Sequence, residues 1–222
     1  MSILVESAVE SLDDALAAVE GGADRLELCA NLAAGGTTPA PSVVTSVLER
    51  VPVPVCVMIR PRGGSFTYSA TELDVMRRDI ESMRELGVDG IVTGVLDARG
   101  AVDTRRMEPL IAAAEALPVT FHRAFDRVRD LPDALESLID IGIARVLTAG
   151  GAPSALAGAD VLSELVAQAG DVLVVIAGGG VREDNVREIV ERSGVREVHA
   201  RCESDVARIA GIVAALATDV AG

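Results

Sequence analysis

Lysine is absent, and all twenty basic residues of this 222-residue chain are arginine. Without a side-chain amine the protein cannot form a Schiff base with a carbonyl substrate or hold pyridoxal phosphate covalently. Tryptophan is missing too, and the only aromatics are Phe66, Tyr68, Phe121 and Phe125. Cysteine occurs at 29, 56 and 202, too few and odd in number for a disulfide framework. No apolar stretch approaches the ~18 residues of a membrane span. The first residues, MSILVESAVESLDD, lack the basic and apolar regions of a signal peptide. A reducing, cytoplasmic setting is the expectation. Positive charge is also scarce overall: the net charge of -14 and a pI near 4.5 argue against nucleic acid and against anionic membrane surfaces as partners.

What the chain has in quantity is apolar residues, half of the total, enough for a sizeable core. A local pattern recurs at Gly22–Leu28, Gly87–Thr93, Gly142–Thr148 and Gly194–Ala200, each after a segment of helical spacing. Each glycine reads as a helix C-cap, and the residues after it as a turn into a buried strand. Ile3 to Glu6, Val53 to Arg60, Val119 to His122 and Val172 to Ala177 supply four more short apolar runs without polar alternation, as expected of strands covered on both faces. Helices are expected over about 11–20, 41–50, 71–86, 103–116, 130–140, 154–169, 184–193 and 204–218, with Thr71-Glu-Leu-Asp74 and Ser204-Asp205 among the caps. Eight such units without a linker or composition break predict a single domain over 1–222, an α/β (β/α)₈ TIM barrel with short loops. The open doubly wound alternative needs a glycine fingerprint after its first strand, and Glu6 to Ser11 contains no glycine.

In such a barrel the reactive face lies at the carboxyl ends of the strands. Glu6, Glu27 with Cys29, Arg60 with Arg62, His122 with Arg123, Thr148, Gly179 with Gly180, and His199 all fall there. Arg60, Arg62 and Arg123, joined by Arg182 and Arg201, predict a cationic cluster in an acidic protein and a small anionic ligand, phosphate or carboxylate. Gly178-Gly-Gly180 is a loop in which bare N–H groups can approach a phosphate, and equally a tight turn that needs glycine. Glu27 and His122 are the acid and base candidates, the imidazole expected near its ordinary pKa of ~6.5. The alternative for Glu27 is an ion pair with Arg60 or Arg62. If Arg60 and Glu27 stand level, Cys29 and Cys56 are separated by several residues along their strands, which makes them buried structural thiols rather than a copper(I) pair. No His-x-His, Cys-x-x-Cys or His-Glu-x-x-His spacing offers zinc. In TFHRAFD, Thr120 to Asp126, period-two alternation would send His122 and Arg123 to opposite faces, Phe121 to Arg123's side, and Phe125 into a loop shielding the imidazole.

Glu6, Gly21-Gly-Ala-Asp-Arg-Leu-Glu-Leu-Cys29, Gly35-Gly-Thr-Thr-Pro39, Met58-Ile-Arg-Pro-Arg-Gly-Gly64, TFHRAFD and Arg145-Val-Leu-Thr148 together closely resemble the CutC family of copper homeostasis proteins. The resemblance runs from about residue 3 to 202. It implies a cytoplasmic (β/α)₈ barrel, commonly a homo-oligomer, linked to copper(I) binding. Glu6, Glu27, Cys29, Arg60, Arg62, His122, Arg123 and His199 match family motif positions, and Cys29 is the metal candidate. Two departures stand out. Family members often carry cysteine just after the first-strand Glu, where this chain has Ser7, Ala8 and Val9. The segment after His199 passes almost directly into the last helix, where relatives insert a longer loop. An enzyme or a binding protein for a small anionic metabolite stays open beside the copper reading.

Overall fold

The computed structural model describes residues 2–217. Eight parallel strands close into a barrel in chain order: β1 Leu4–Val9, β2 Arg25–Leu28, β3 Val55–Met58, β4 Gly90–Thr93, β5 Val119–Phe121, β6 Arg145–Thr148, β7 Val174–Gly178 and β8 Glu197–Arg201. The helices around them are α1 Leu12–Glu20, α2 Pro41–Leu48, α3 Ala70–Leu86, α4 Thr104–Ala114, α5 Leu131–Asp140, α6 Ala159–Ala169, α7 Val186–Ser193 and α8 Val206–Ala217. The (β/α)₈ expectation is met unit by unit. Thr218, the last residue expected in the final helix, lies outside the described residues.

Several boundaries move, each for a local reason. β1 runs three residues beyond Glu6, so this carboxylate sits within a strand rather than at its end. β3 stops at Met58 because the Arg60 N–H is taken by the Thr38 hydroxyl at 3.0 Å, and Pro61 follows. β5 stops at Phe121, where the backbone turns into a 3₁₀ helix over Arg123–Arg127. α3 is capped by a reciprocal pair between Ser69 and Glu72, two residues ahead of the expected cap. α6 begins five residues late, since Gly158 lies against the Ala149 carbonyl and the preceding residues form turns. At two of the four recurring glycine junctions the second residue after the glycine is an aspartate: Asp24 accepts the Val5 N–H and Asp89 the Val55 N–H, both at 2.8 Å, tying these two junctions to the neighbouring strand.

Register separates two environments. Glu6 pairs with His199 on one side and Arg25 on the other; Ala8 pairs with Glu27, Glu27 with Cys56, Thr120 with Arg145, and Gly178 with His199. Because pleated neighbours share a face, these residues fill the barrel interior. The other parity, among it Val5, Leu26, Val57, Ile91, Phe121, Val146 and Val198, packs outward against the helices in the main apolar core. The interior is thus mixed, with Glu6, Arg25, Glu27, Arg145, Glu197 and His199 among apolar residues such as Val92, Leu147 and Ile176, where branched aliphatics usually dominate.

Candidate functional site

A cavity of about 1270 Å³ opens at the carboxyl ends of the strands. Glu27, Arg60, His122, Arg123, Gly179, Gly180 and His199 line it, whereas Glu6, Cys29, Arg62 and Thr148 do not. Two unlike walls face each other across this space.

The acidic wall is built by β1, β2 and β8. Arg25, buried, bridges Glu6 and Glu197. Glu6 also receives the His199 Nδ1 contact at 2.8 Å, and the same nitrogen is 4.0 Å from Glu27. Burial opposes charge on Glu6, yet His199 and Arg25 outweigh it and hold the carboxyl down at about 2. Burial acts on His199 as well, but Glu27 and Glu6 together raise its pKa and favour the imidazolium. Glu27 goes the other way, raised by burial and by Glu6 in spite of His199. Its Oε1 accepts the Cys29 thiol at 3.2 Å, and its Oε2 has no protein donor among the described residues. Burial and the Glu27 charge push the Cys29 thiol well up.

The cationic wall comes from β3, β5 and β7. His122 is almost fully buried, its Nδ1 accepts the Ala124 N–H at 3.3 Å, and its Nε2 has no protein partner. Nδ1 therefore carries no proton and Nε2 does. Burial, with Arg60 adding, lowers its pKa to about 3. The expected imidazole near 6.5 is corrected: His122 is a neutral donor near pH 7, and His199 is the histidine held among carboxylates. Nor do His122 and Arg123 diverge. The strand ends before them, alternation lapses, and both line the cavity. Phe125 turns into the outer core, and Phe66 covers the imidazole instead, with ring centroids 5.0 Å apart.

Three residues expected to hold an anion or to pair with Glu27 are engaged elsewhere. Arg60 Nη1 donates to the carbonyls of Ala34, Gly35 and Gly36, and Nη2 to that of Gly64, which clamps two loops across the mouth. Arg62 pairs with Glu72 and lies over the Tyr68 ring, outside the cavity. The Thr148 hydroxyl donates to Asp126. Asp126 went unnoticed in the sequence although it closes the TFHRAFD motif. It accepts Arg123 Nε at 2.7 Å and the N–H groups of Ala149 and Gly151, so it fixes the guanidinium against the β6–α6 loop. Arg25 was also missed, although Arg25, Glu27 and Cys29 already show the period of two that places them on one face.

Two donor sets meet at Glu27. Glu6, Glu27 and His199 offer ligand atoms that all lie within 4.8 Å of one another, a nitrogen and oxygen set suited to a divalent ion. Copper(I) prefers sulfur. Here the register corrects an expectation: Glu27 stands beside Cys56, not level with Arg60, and Cys29, Cys56, Met58 and Val92 form one small buried group. A Cβ at Gly36 would sit 3.2 Å from Cys29 Sγ and 3.4 Å from the Met58 methyl, so this loop, held by Arg60, roofs the Cys29 sulfur and the end of Met58. The soft donors thus lie beside the carboxylate set, with the Cys29 thiol on Glu27.

A model of the CutC family matches residues 3–204. A family protein CutC of Caulobacter vibrioides is 48% identical over 197 residues, covering 89% of this chain and 80% of the relative. A human protein named copper homeostasis protein cutC homolog is 46% identical over 201 residues, 90% of this chain and 74% of its own length. The crystal structure of a putative copper homeostasis protein CutC from Streptococcus agalactiae superimposes with a TM-score of 0.85 at 35% identity, covering 89% of this chain and 97% of that one.

Proposed function

This chain belongs to the CutC family, and we propose that it serves copper homeostasis by holding a copper ion at the inner end of the barrel mouth. Glu27 and His199 face the ion, Glu6 stands behind them, and Cys29 is the soft donor. The observation that carries the reading is the convergence of Glu6, Glu27 and His199 within 4.8 Å, with the Cys29 thiol on Glu27. A bound cation would offset the charge of the buried carboxylates and favour the thiolate of Cys29, which in its absence is held protonated. Copper(II) suits the imidazole and carboxylates, and copper(I) suits the thiol. Of Ser7, Ala8 and Val9, only Ala8 lines the cavity, and it stands in register with Glu27. The thiol that relatives often carry is thus missing at a position that faces the ion. A reducing, cytoplasmic setting accords with this role, since the three cysteines are free thiols. Among the described residues no helix is long and apolar enough to cross a membrane.

Anaerobic titration of copper(I) against a competing chelator tests this. Copper(I) binding is expected to weaken in Cys29→Ala and tighten in Ala8→Cys, and copper(II) or zinc binding to weaken in Glu27→Gln with little response to Cys29→Ala. Binding absent at micromolar metal, or indifferent to all three substitutions, contradicts the reading.

A further inference from the structure

The cationic wall has donors that the metal reading does not use. Arg123 is held through Nε by Asp126, itself anchored by Thr148, Ala149 and Gly151, and neither Arg123 Nη has a protein acceptor among the described residues. The guanidinium lies against Gly179, where a Cβ would come 2.9 Å from Nη1. Gly179 has φ of 112°, a conformation that side chains resist, so both space and backbone demand glycine there. The N–H groups of Gly179 and Gly180 also find no protein acceptor among the described residues. Next to Arg123, His122 lines the same cavity, and its buried Nε2–H has no protein acceptor among the described residues. An arginine fork set in place, bare loop N–H groups and a buried neutral donor with no acceptor are what an oxyanion requires.

We infer that this wall is an anion subsite, distinct from the metal ligands, for the phosphate group of a small phosphorylated molecule. Arg123 grips the phosphate oxygens with its two Nη groups, the Gly179-Gly180 turn approaches it from β7, and His122 donates from Nε2. Arg182 lines the same cavity and adds positive charge, while Asp126 offsets part of the charge of Arg123 through its Nε and leaves the Nη groups to the anion. Arg60 and Arg62 offer no free fork, because loop carbonyls hold both Nη groups of Arg60, and loop carbonyls and Glu72 hold Arg62. The inference does not rest on the copper reading, since none of these groups is among the proposed metal ligands.

The test uses metal-free, chelator-treated protein, with inorganic phosphate as the probe followed by phosphorus NMR and calorimetry, and acetate as the comparison anion. Saturable phosphate binding is expected, stronger than that of acetate, and weakened about tenfold or more by Arg123→Gln, since a charge-assisted fork is lost. Arg123→Lys, which keeps charge without the fork, should fall between, and His122→Phe should weaken binding while keeping a ring against Phe66. Arg62→Gln should bind as the parent does, with circular dichroism confirming the fold of each variant. No saturable binding, acetate binding as well as phosphate, or indifference to Arg123→Gln overturns the inference. So does binding that appears only after metal is added and vanishes in Glu27→Gln, which would put the anion on the metal.

Discussion

The two histidines of this chain open onto one cavity and have opposite fates. His199 sits between Glu6 and Glu27, which raise its pKa and favour the charged imidazole. His122 sits beneath Arg60 and Phe66 with no carboxylate contact, and it is held neutral. Burial disfavours the cation at both. The difference comes from the charges packed around each ring, so proximity to one mouth does not assign one role. An acidic wall that can take a cation faces a wall whose donors can take an anion.

The contrast is broken most severely at Arg25. Arg25→Leu leaves Glu6 and Glu197 without their buried counter-charge, and a loss of about 3–5 kcal/mol is expected in denaturant unfolding. Next in size is the opposite wall. Arg60→Leu strips charged donors from the carbonyls of Ala34, Gly35, Gly36 and Gly64, an expected cost of about 2–3 kcal/mol. It should also unroof Cys29, read as faster alkylation of that thiol.

The histidines should leave opposite marks on stability as pH changes. His122 has a folded pKa lowered to about 3, so between there and about 6.5 the unfolded chain binds a proton that the native chain refuses. Its contribution is fully present above about 6.5 and is lost as pH falls through that window, by up to about 1.4 kcal/mol per pH unit. His199 has a raised folded pKa, so its contribution is present below about 6.5 and is lost as pH rises through the folded value. His122→Phe should therefore flatten the acid limb of the stability curve, and His199→Phe the alkaline side. The smallest effect is expected at Arg62→Gln, whose half-exposed pair with Glu72 and solvent-facing bonds to the carbonyls of Gly63, Ser65 and Thr67 should yield a small, salt-sensitive shift in melting temperature.

The barrel was legible because its signals are local. Gly-x-Asp junctions, short apolar runs and caps all act over a few residues. The mouth was legible as an inventory and not as partnerships. Glu6 and His199 are almost the whole chain apart and meet only because β8 pairs with β1. The spacing of Arg60, Arg62 and Arg123 made them look alike, yet only Arg123 keeps both Nη groups free of protein acceptors among the described residues, since the others meet loop carbonyls and Glu72 that no periodicity marks. His122 was misjudged for a related reason: alternation was carried one residue past the point where β5 gives way to a 3₁₀ turn.

The division of the mouth is tested most directly by nitrogen-15 NMR titration of the two imidazoles side by side in metal-free protein. His122 is expected to stay neutral and protonated on Nε2 from pH 8 down to about 4, while His199 takes up its proton at a higher pH than His122, its pKa raised by Glu27 and Glu6. Two rings titrating together near 6.5, or a His122 that takes up a proton before His199, would contradict that division.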